Sequence, residues 1–96
     1  MMNFEWDDKK NADNLEKHGI TFEEASLIFS GDVFSKIDDR QDYGEERIIS
    51  IGTIKTLLVV VIVHTDRDGA TRIISARYAS RKERRSYNDY KKKRKD

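Results

Sequence analysis

The sequence predicts an α+β domain built on an antiparallel sheet of about four to five strands, with two helices before the sheet and one after it. Three observations carry this reading. Leu57–Val63 is an unbroken apolar run rich in β-branched residues, the pattern of a strand buried on both faces in the middle of a sheet. Asp66-Arg67-Asp68-Gly69 then supplies a turn, and Thr71–Tyr78 a return strand, so the centre of the chain is a hairpin. The segments that open and close the chain carry helix start and stop signals instead.

Asn3–Asp7 alternates as a short strand. Asp7 or Asp8 caps a first helix, Lys9–His18, whose thin apolar side is Ala12, Leu15 and His18 and which Gly19 ends. Thr21 and Glu24 have near capping-box spacing for a second helix to about Phe29, with Phe22, Ala25, Ile28 and Phe29 on one stripe. Val33–Asp38 reads as an edge strand, Asp39–Gly44 as a polar loop, and Glu46–Ile54 as a strand leading through Lys55 into the central run. In the return strand, strict alternation puts Arg72, Ile74, Ala76 and Tyr78 on one face and Ile73, Ser75 and Arg77 on the other. Ser80 caps a last helix through Tyr90, and residues 91–96 form a basic, flexible tail after a single domain of residues 1–90. Hairpin-linked strands imply helices on one side of the sheet.

Ninety-six residues make one domain, and the absence of cysteine excludes a disulfide scaffold, a thiolate metal site and a thiol nucleophile. The Val-rich run is too short to span a bilayer and no signal-like segment opens the sequence, so a cytoplasmic protein is expected. The formal charge of +1 conceals an asymmetry: residues 1–46 carry a net −8 and residues 47–96 a net +9. Either the two halves neutralise each other on folding, or the basic half presents a face to a polyanion.

No phosphate-cradling glycine loop, metal-ligand spacing or nucleophile elbow is present, so no metal or cofactor is expected. What remains is arginine with aromatics nearby. Arg67, Arg72, Arg77 and Arg84 are forked donors suited to phosphate oxygens. Tyr78, Tyr87 and Tyr90 offer rings on which bases stack, at about 1–3 kcal/mol per base. A part-buried Arg77 needs either an internal carboxylate or a phosphate. Lys17 and His18 stand at a helix C-terminus, where the macrodipole accounts for them as well as chemistry does. His64, at the end of the central strand, is either an acid–base group titrating near about 6.5 or an ordinary wet-edged residue. Neither histidine shows an acidic partner at a telling offset. Tyr87 reads as packing as readily as catalysis.

Several blocks also carry a resemblance: Glu5-Trp6-Asp7; Lys17-His18-Gly19 followed by Phe22-Glu23-Glu24-Ala25; Gly44-Glu45-Glu46-Arg47 with Ile51-Gly52; Thr65-Asp66-Arg67; Arg72-Ile73-Ile74-Ser75-Ala76-Arg77; and Glu83-Arg84 with Tyr87. In this order, over nearly the whole chain, they resemble the BrnT family of toxins. The resemblance implies a RelE-like fold and a ribonuclease that stops translation. It also implies a BrnA-type DNA-binding antitoxin as partner, and contact with operator DNA only through that antitoxin. By position, the motif residues are Thr65, Arg67, Arg77, Glu83, Arg84 and Tyr87. Asp66 stands where Glu is more usual, His64 lies just outside the motif, and the basic tail is not part of it.

The expected reaction is metal-independent: the ribose 2′-OH attacks the adjacent phosphate of messenger RNA and the 5′-oxygen leaves. Arg67, Arg77, Lys17, His18, Glu83 and Tyr87 are the candidate catalytic set. Thr65, Arg72, Arg84, His64 and Tyr78 are the candidate substrate contacts. The alternatives are a non-catalytic nucleic-acid-binding module and a protein-interaction domain.

Overall fold

The structure, a computed structural model, describes residues 2–40, 42–55 and 57–95. Gln41 of the polar loop, Met1 and the terminal Asp96 of the expected tail lie outside the described residues. The elements run β1 (Asn3–Glu5), α1 (Asp8–His18), α2 (Phe22–Ala25), β2 (Phe34–Ile37), β3 (Ile48–Ile54), β4 (Leu58–Arg67), β5 (Ala70–Tyr78) and α3 (Arg81–Lys95). This is the expected order and an α+β fold. No helix is long and apolar enough to cross a membrane among the described residues.

The strands form one sheet in the order β1-β5-β4-β3-β2, with the apolar run at its centre. β2 to β5 are antiparallel neighbours, while β1 joins the far edge parallel to β5, so the sheet is mixed. The β4–β5 turn is tighter than Asp66–Gly69. Asp68 and Gly69 alone make it, both at positive φ (53° and 77°), and β4 continues to Arg67. Two central residues of positive φ are what a primed two-residue hairpin turn requires.

The helices lie on both faces of the sheet, not on one. Val60, Ile62, Ile73 and Ala76 pack against Ile20, Phe22, Ala25 and Ile28 of the α2 region. Val59, Val61 and Ile51, on the opposite face, pack under Tyr87 of α3. A central strand as apolar as β4 has two faces to cover, and two separate groups of helices cover them.

Local signals act as read. Asp7 Oδ1 accepts the amides of Lys9 and Lys10 at 2.9 and 3.1 Å, and Gly19 closes α1 in the left-handed region at φ 76°. Thr21 Oγ1 accepts the Glu24 amide at 3.0 Å. After Ala25 the backbone tightens into a 3₁₀ turn, Ser26–Ser30, which carries buried Ile28 onto Gly52 of β3. Two expectations fail. α1 buries Asn14, not Leu15, which is 48% exposed. α3 does not stop at Tyr90 but runs to Lys95, with Arg94 reaching Asp32 at 3.4 Å.

Asn14 fills a gap in the sheet. β1 pairs only Ala70 to Arg72, so the edge of β5 beyond it has no strand neighbour. There the Asn14 amide donates to Ala76 O at 2.8 Å and accepts from Ala76 N at 3.1 Å, reproducing with a side chain the pair of bonds a neighbouring strand would make.

Candidate nucleic-acid interface

The register of β5 decides which residues can act together. His64 pairs with Ile73 and Val63 with Ser75, leaving Ile74 as the extra residue of a bulge. Alternation therefore slips by one: Ile73 and Ala76 join the same core, where strict alternation had set them on opposite faces. Arg72 opposite Thr65, Ser75 opposite Val63 and Arg77 opposite Val61 now share the α3 face of the sheet, as does Arg67 at the end of β4. The separation of Arg72 from Arg77 read from alternation is thus reversed.

α3 covers only the half of this face that holds Ile51, Val59 and Val61. Among the described residues no helix packs on the other half. Its floor is Ile49 and Val63, both half-buried, and the cross-strand row beyond them holds Thr65 and Arg72. Cations border it: Lys36 opposite Ile49, Arg77 beside α3, Arg72 on β5, and Arg67 at the hairpin end. Six residues of β4 separate the position facing Arg77 from Arg67, a span of about 20 Å. The arginines therefore form a row and not a cluster around one point.

Arg77 is the most constrained of them. Its guanidinium binds Glu83 of α3 through two parallel bonds of 2.7 and 2.9 Å. Glu83 Oε1 also accepts the Ser80 amide at 2.8 Å, while Ser80 Oγ accepts the Glu83 amide at 3.2 Å, a complete capping box for α3. Hydrogen bonding from Arg77, then from the Ser80 amide, holds the Glu83 carboxyl down at about 2, and the same pair raises Arg77 above its ordinary value. The internal carboxylate is thus present, and the ion pair stays part-exposed.

The loop after β2 adds a residue that sequence reasoning missed. Asp38 is buried and gripped by Arg40 at 2.7 and 2.8 Å, which holds its carboxyl at about 2. The charge of Arg40 weakly opposes that of Arg77. Arg47 lies 3.9 Å over the Tyr43 ring in the same loop. An Asp two residues before an Arg at a strand end was the one available signal, and it is a common pair in any loop.

The remaining candidates disperse. Thr65 is buried, with Oγ1 donating to Glu46 O at 2.8 Å. Arg72 reaches Glu5 of β1 only at 3.7 Å, and Arg67 has no ion pair among the described residues. Arg84 donates to Ala79 O at 3.1 Å beside Tyr78, which is 40% exposed at the end of the hairpin away from the turn. Tyr87 is buried, and its hydroxyl donates to Asp32 O at 2.6 Å, which ties α3 to the start of β2. Burial raises the Tyr87 phenol above its usual value. Lys17 and His18 end α1 and share no ion pair or side-chain hydrogen bond with the arginines among the described residues.

His64 lies on the other face, and it does have an acidic partner. Nδ1 lies 3.0 Å from Asp66 Oδ1, Nε2 lies 2.8 Å from Ser50 Oγ, and Ser50 Oγ lies 2.7 Å from Ser35 Oγ. Phe29 packs edge-on against the ring at 5.4 Å. Burial lowers the His64 pKa against the opposing pull of Asp66, which favours the neutral imidazole. The i, i+2 offset of His64 and Asp66 is a same-face pair on a strand, and once the strand is seen to reach Arg67 that spacing is the missing signal.

These features meet those of known proteins. A family model described as the ribonuclease toxin BrnT of type II toxin–antitoxin systems matches residues 6–83. The fold is similar to the crystal structure of the Brucella abortus ribonuclease toxin BrnT, with a TM-score of 0.63 and 25% identity over 84% of this chain and 100% of that one. No match was found among curated proteins. With that order of motifs and that sheet, the chain belongs to the BrnT family of ribonuclease toxins of type II toxin–antitoxin systems.

Proposed function

We propose that this chain cleaves messenger RNA on the open half-face of the sheet and so inhibits translation, in the cytoplasm, until a BrnA-type DNA-binding antitoxin covers it. The observation that carries this reading is the row of arginines on one sheet face, brought into line by the bulge at Ile74. A row about 20 Å long suits successive phosphates of a strand. Arg67 and Arg72 then hold the chain and Arg77 faces the scissile phosphate.

In this reading the 2′-OH gives its proton to solvent water as its oxygen attacks the neighbouring phosphorus, the bond to the 5′-oxygen breaks as that oxygen takes a proton from water, and a 2′,3′-cyclic phosphate is left without help from a metal. Arg77 stabilises the charge that develops on the phosphorane oxygens, where one such donor is worth about 10²–10³ in rate. Glu83 is a positioning residue: it presents the Arg77 fork, and a carboxylate held at about 2 is too weak a base to take the 2′-OH proton at neutral pH. Tyr87, buried and bonded to Asp32 O, anchors α3 in the same way. With no near-neutral base beside Arg77 among the described residues, electrostatic stabilisation dominates and the enzyme is a modest one.

The test is incubation of the purified protein with RNA in EDTA. Products ending in 2′,3′-cyclic phosphate support the reading, with Arg77→Ala slower by about 10²-fold. Arg67→Ala instead weakens binding and flattens its salt dependence by about 0.7 in log–log slope for each lost contact to a single strand. A gel shift with no cleavage would favour a binding module.

A further inference from the structure

Between β2 and α3 runs a trough that the arginine row does not occupy. Its inner hollow, about 250 Å³, has Ile51 and Tyr87 as walls and Lys36, Lys82 and Ser86 at its mouth. A second hollow, about 420 Å³, continues along α3 between Ser86, Tyr90 and Lys93. Phe34 belongs to both hollows and stands between them, 38% exposed, with its ring 4.7 Å from that of Tyr90. The trough is continuous with the open half-face: Glu83, which holds Arg77, also lines the inner hollow.

Its chemistry selects an occupant. Three lysines, Lys36, Lys82 and Lys93, flank the hollows, and α3 as a whole carries nine Lys and Arg against two acids. Glu83 is already neutralised by Arg77, leaving Asp89 as the acid lining the outer hollow. The walls are aromatic and apolar, and the inner hollow is smaller than the roughly 300–1,000 Å³ of a drug-sized ligand site. Aromatic faces inside a cationic border are the surface that binds single-stranded nucleic acid irrespective of sequence. Phe34 lies in the same cross-strand row as Arg77, three strand spacings or about 14 Å away, within reach of one short stretch of chain.

We propose that this trough seats two successive nucleotides of a single-stranded RNA, one base in each hollow, the inner one against the ring edge and face of Phe34 that Tyr90 leaves open and the outer one beside Tyr90, with the flanking phosphates on Lys36, Lys82 and Lys93. The inference rests on the ribonuclease reading and extends it, since it places the strand on the α3 side of Arg77 and makes Phe34 a binding residue. Ser86, which lines both hollows, supplies a hydroxyl able to bond a base edge.

The test separates binding from cleavage. A labelled single-stranded oligonucleotide, 2′-O-methylated throughout so that it lacks the attacking hydroxyl, is titrated by fluorescence anisotropy into the full-length protein. Phe34→Leu, which keeps apolar packing on Tyr90 but removes the ring, should bind about 5- to 100-fold more weakly, the range that base–aromatic stacking contributes. Phe34→Trp should restore binding, with its own fluorescence quenched by the RNA. Lys36→Ala with Lys82→Ala should weaken binding and reduce its salt dependence. If these variants bind like the unmodified protein while Arg67→Ala does not, the trough is not on the RNA path. Unchanged RNA binding combined with loss of antitoxin binding would overturn the inference in favour of a protein interface. Failure of the unmodified protein to bind or cut any RNA would instead sink the ribonuclease reading itself.

Discussion

Arg77 of β5 and Glu83 of α3 are joined by two hydrogen bonds, 2.7 and 2.9 Å long, and the same carboxylate closes the capping box with Ser80. One side chain thus starts α3 and orients the arginine beside it, so the helix cannot fray at its first turn without disturbing the proposed site. The pair is part-exposed, with side chains 43% and 32% accessible, which limits its strength through solvent screening.

This pair gives stability a pH dependence. The Glu83 carboxyl is held at about 2 in the fold against 4.5 ordinarily, chiefly by hydrogen bonding to Arg77. A depressed folded value means stability is fully present above about 4.5 and drains away as pH falls toward 2. With the discount for exposure we expect a loss of about 1–2 kcal/mol across that window. Urea midpoints of the unmodified protein and Glu83→Gln should converge as pH drops from 5 to 2. Parallel curves would show that Glu83 is not the group responsible.

His64 governs a higher window. Its buried imidazole takes a proton less readily in the fold than when unfolded, so stability begins to fall once pH drops below about 6.5. His64→Gln should abolish that upper decline and lower stability at pH 7.5 by about 1–3 kcal/mol, through disturbed bonding to Ser50 and Asp66. RNA cleavage by the folded variant should be unchanged, because His64 lies on the face opposite Arg77. A selective loss of kcat would place it in the reaction.

Asn14 is a polar residue doing the work of a strand. Asn14→Leu orphans Ala76 N–H and C=O along with Ile20 C=O, and should lower stability by about 2–4 kcal/mol. Hydrogen exchange gives the specific readout: the Ala76 amide should lose protection well beyond that of its neighbours in β5.

Gly52 sits where β3 passes under the 3₁₀ turn. A Cβ there would lie 2.9 Å from Ile28 Cβ and 3.3 Å from Asp32 O, so Gly52→Ala must push the turn off the sheet. A loss of about 1–3 kcal/mol in thermal unfolding is expected. Gly31→Ala, with nothing within 4 Å of the added carbon and an ordinary extended φ, should change stability by no more than about 0.5 kcal/mol.

The amino-acid sequence determined which elements exist and in what order. The apolar run marks the central strand, Asp7, Thr21 and Ser80 start the helices, and Gly19 ends the first, because these signals are local and act within a turn or two of backbone. The ordered motif blocks also identified the family. Tertiary structure decided what those elements do together. Strict alternation could not reveal the bulge at Ile74, and a slip of one residue exchanges the two faces of a strand, so only the paired register puts Arg67, Arg72 and Arg77 on one side. Asn14 became a core residue because β1 is too short to pair the whole of β5. In each case the deciding partner is far away in the chain, or set by a pairing that no local periodicity encodes.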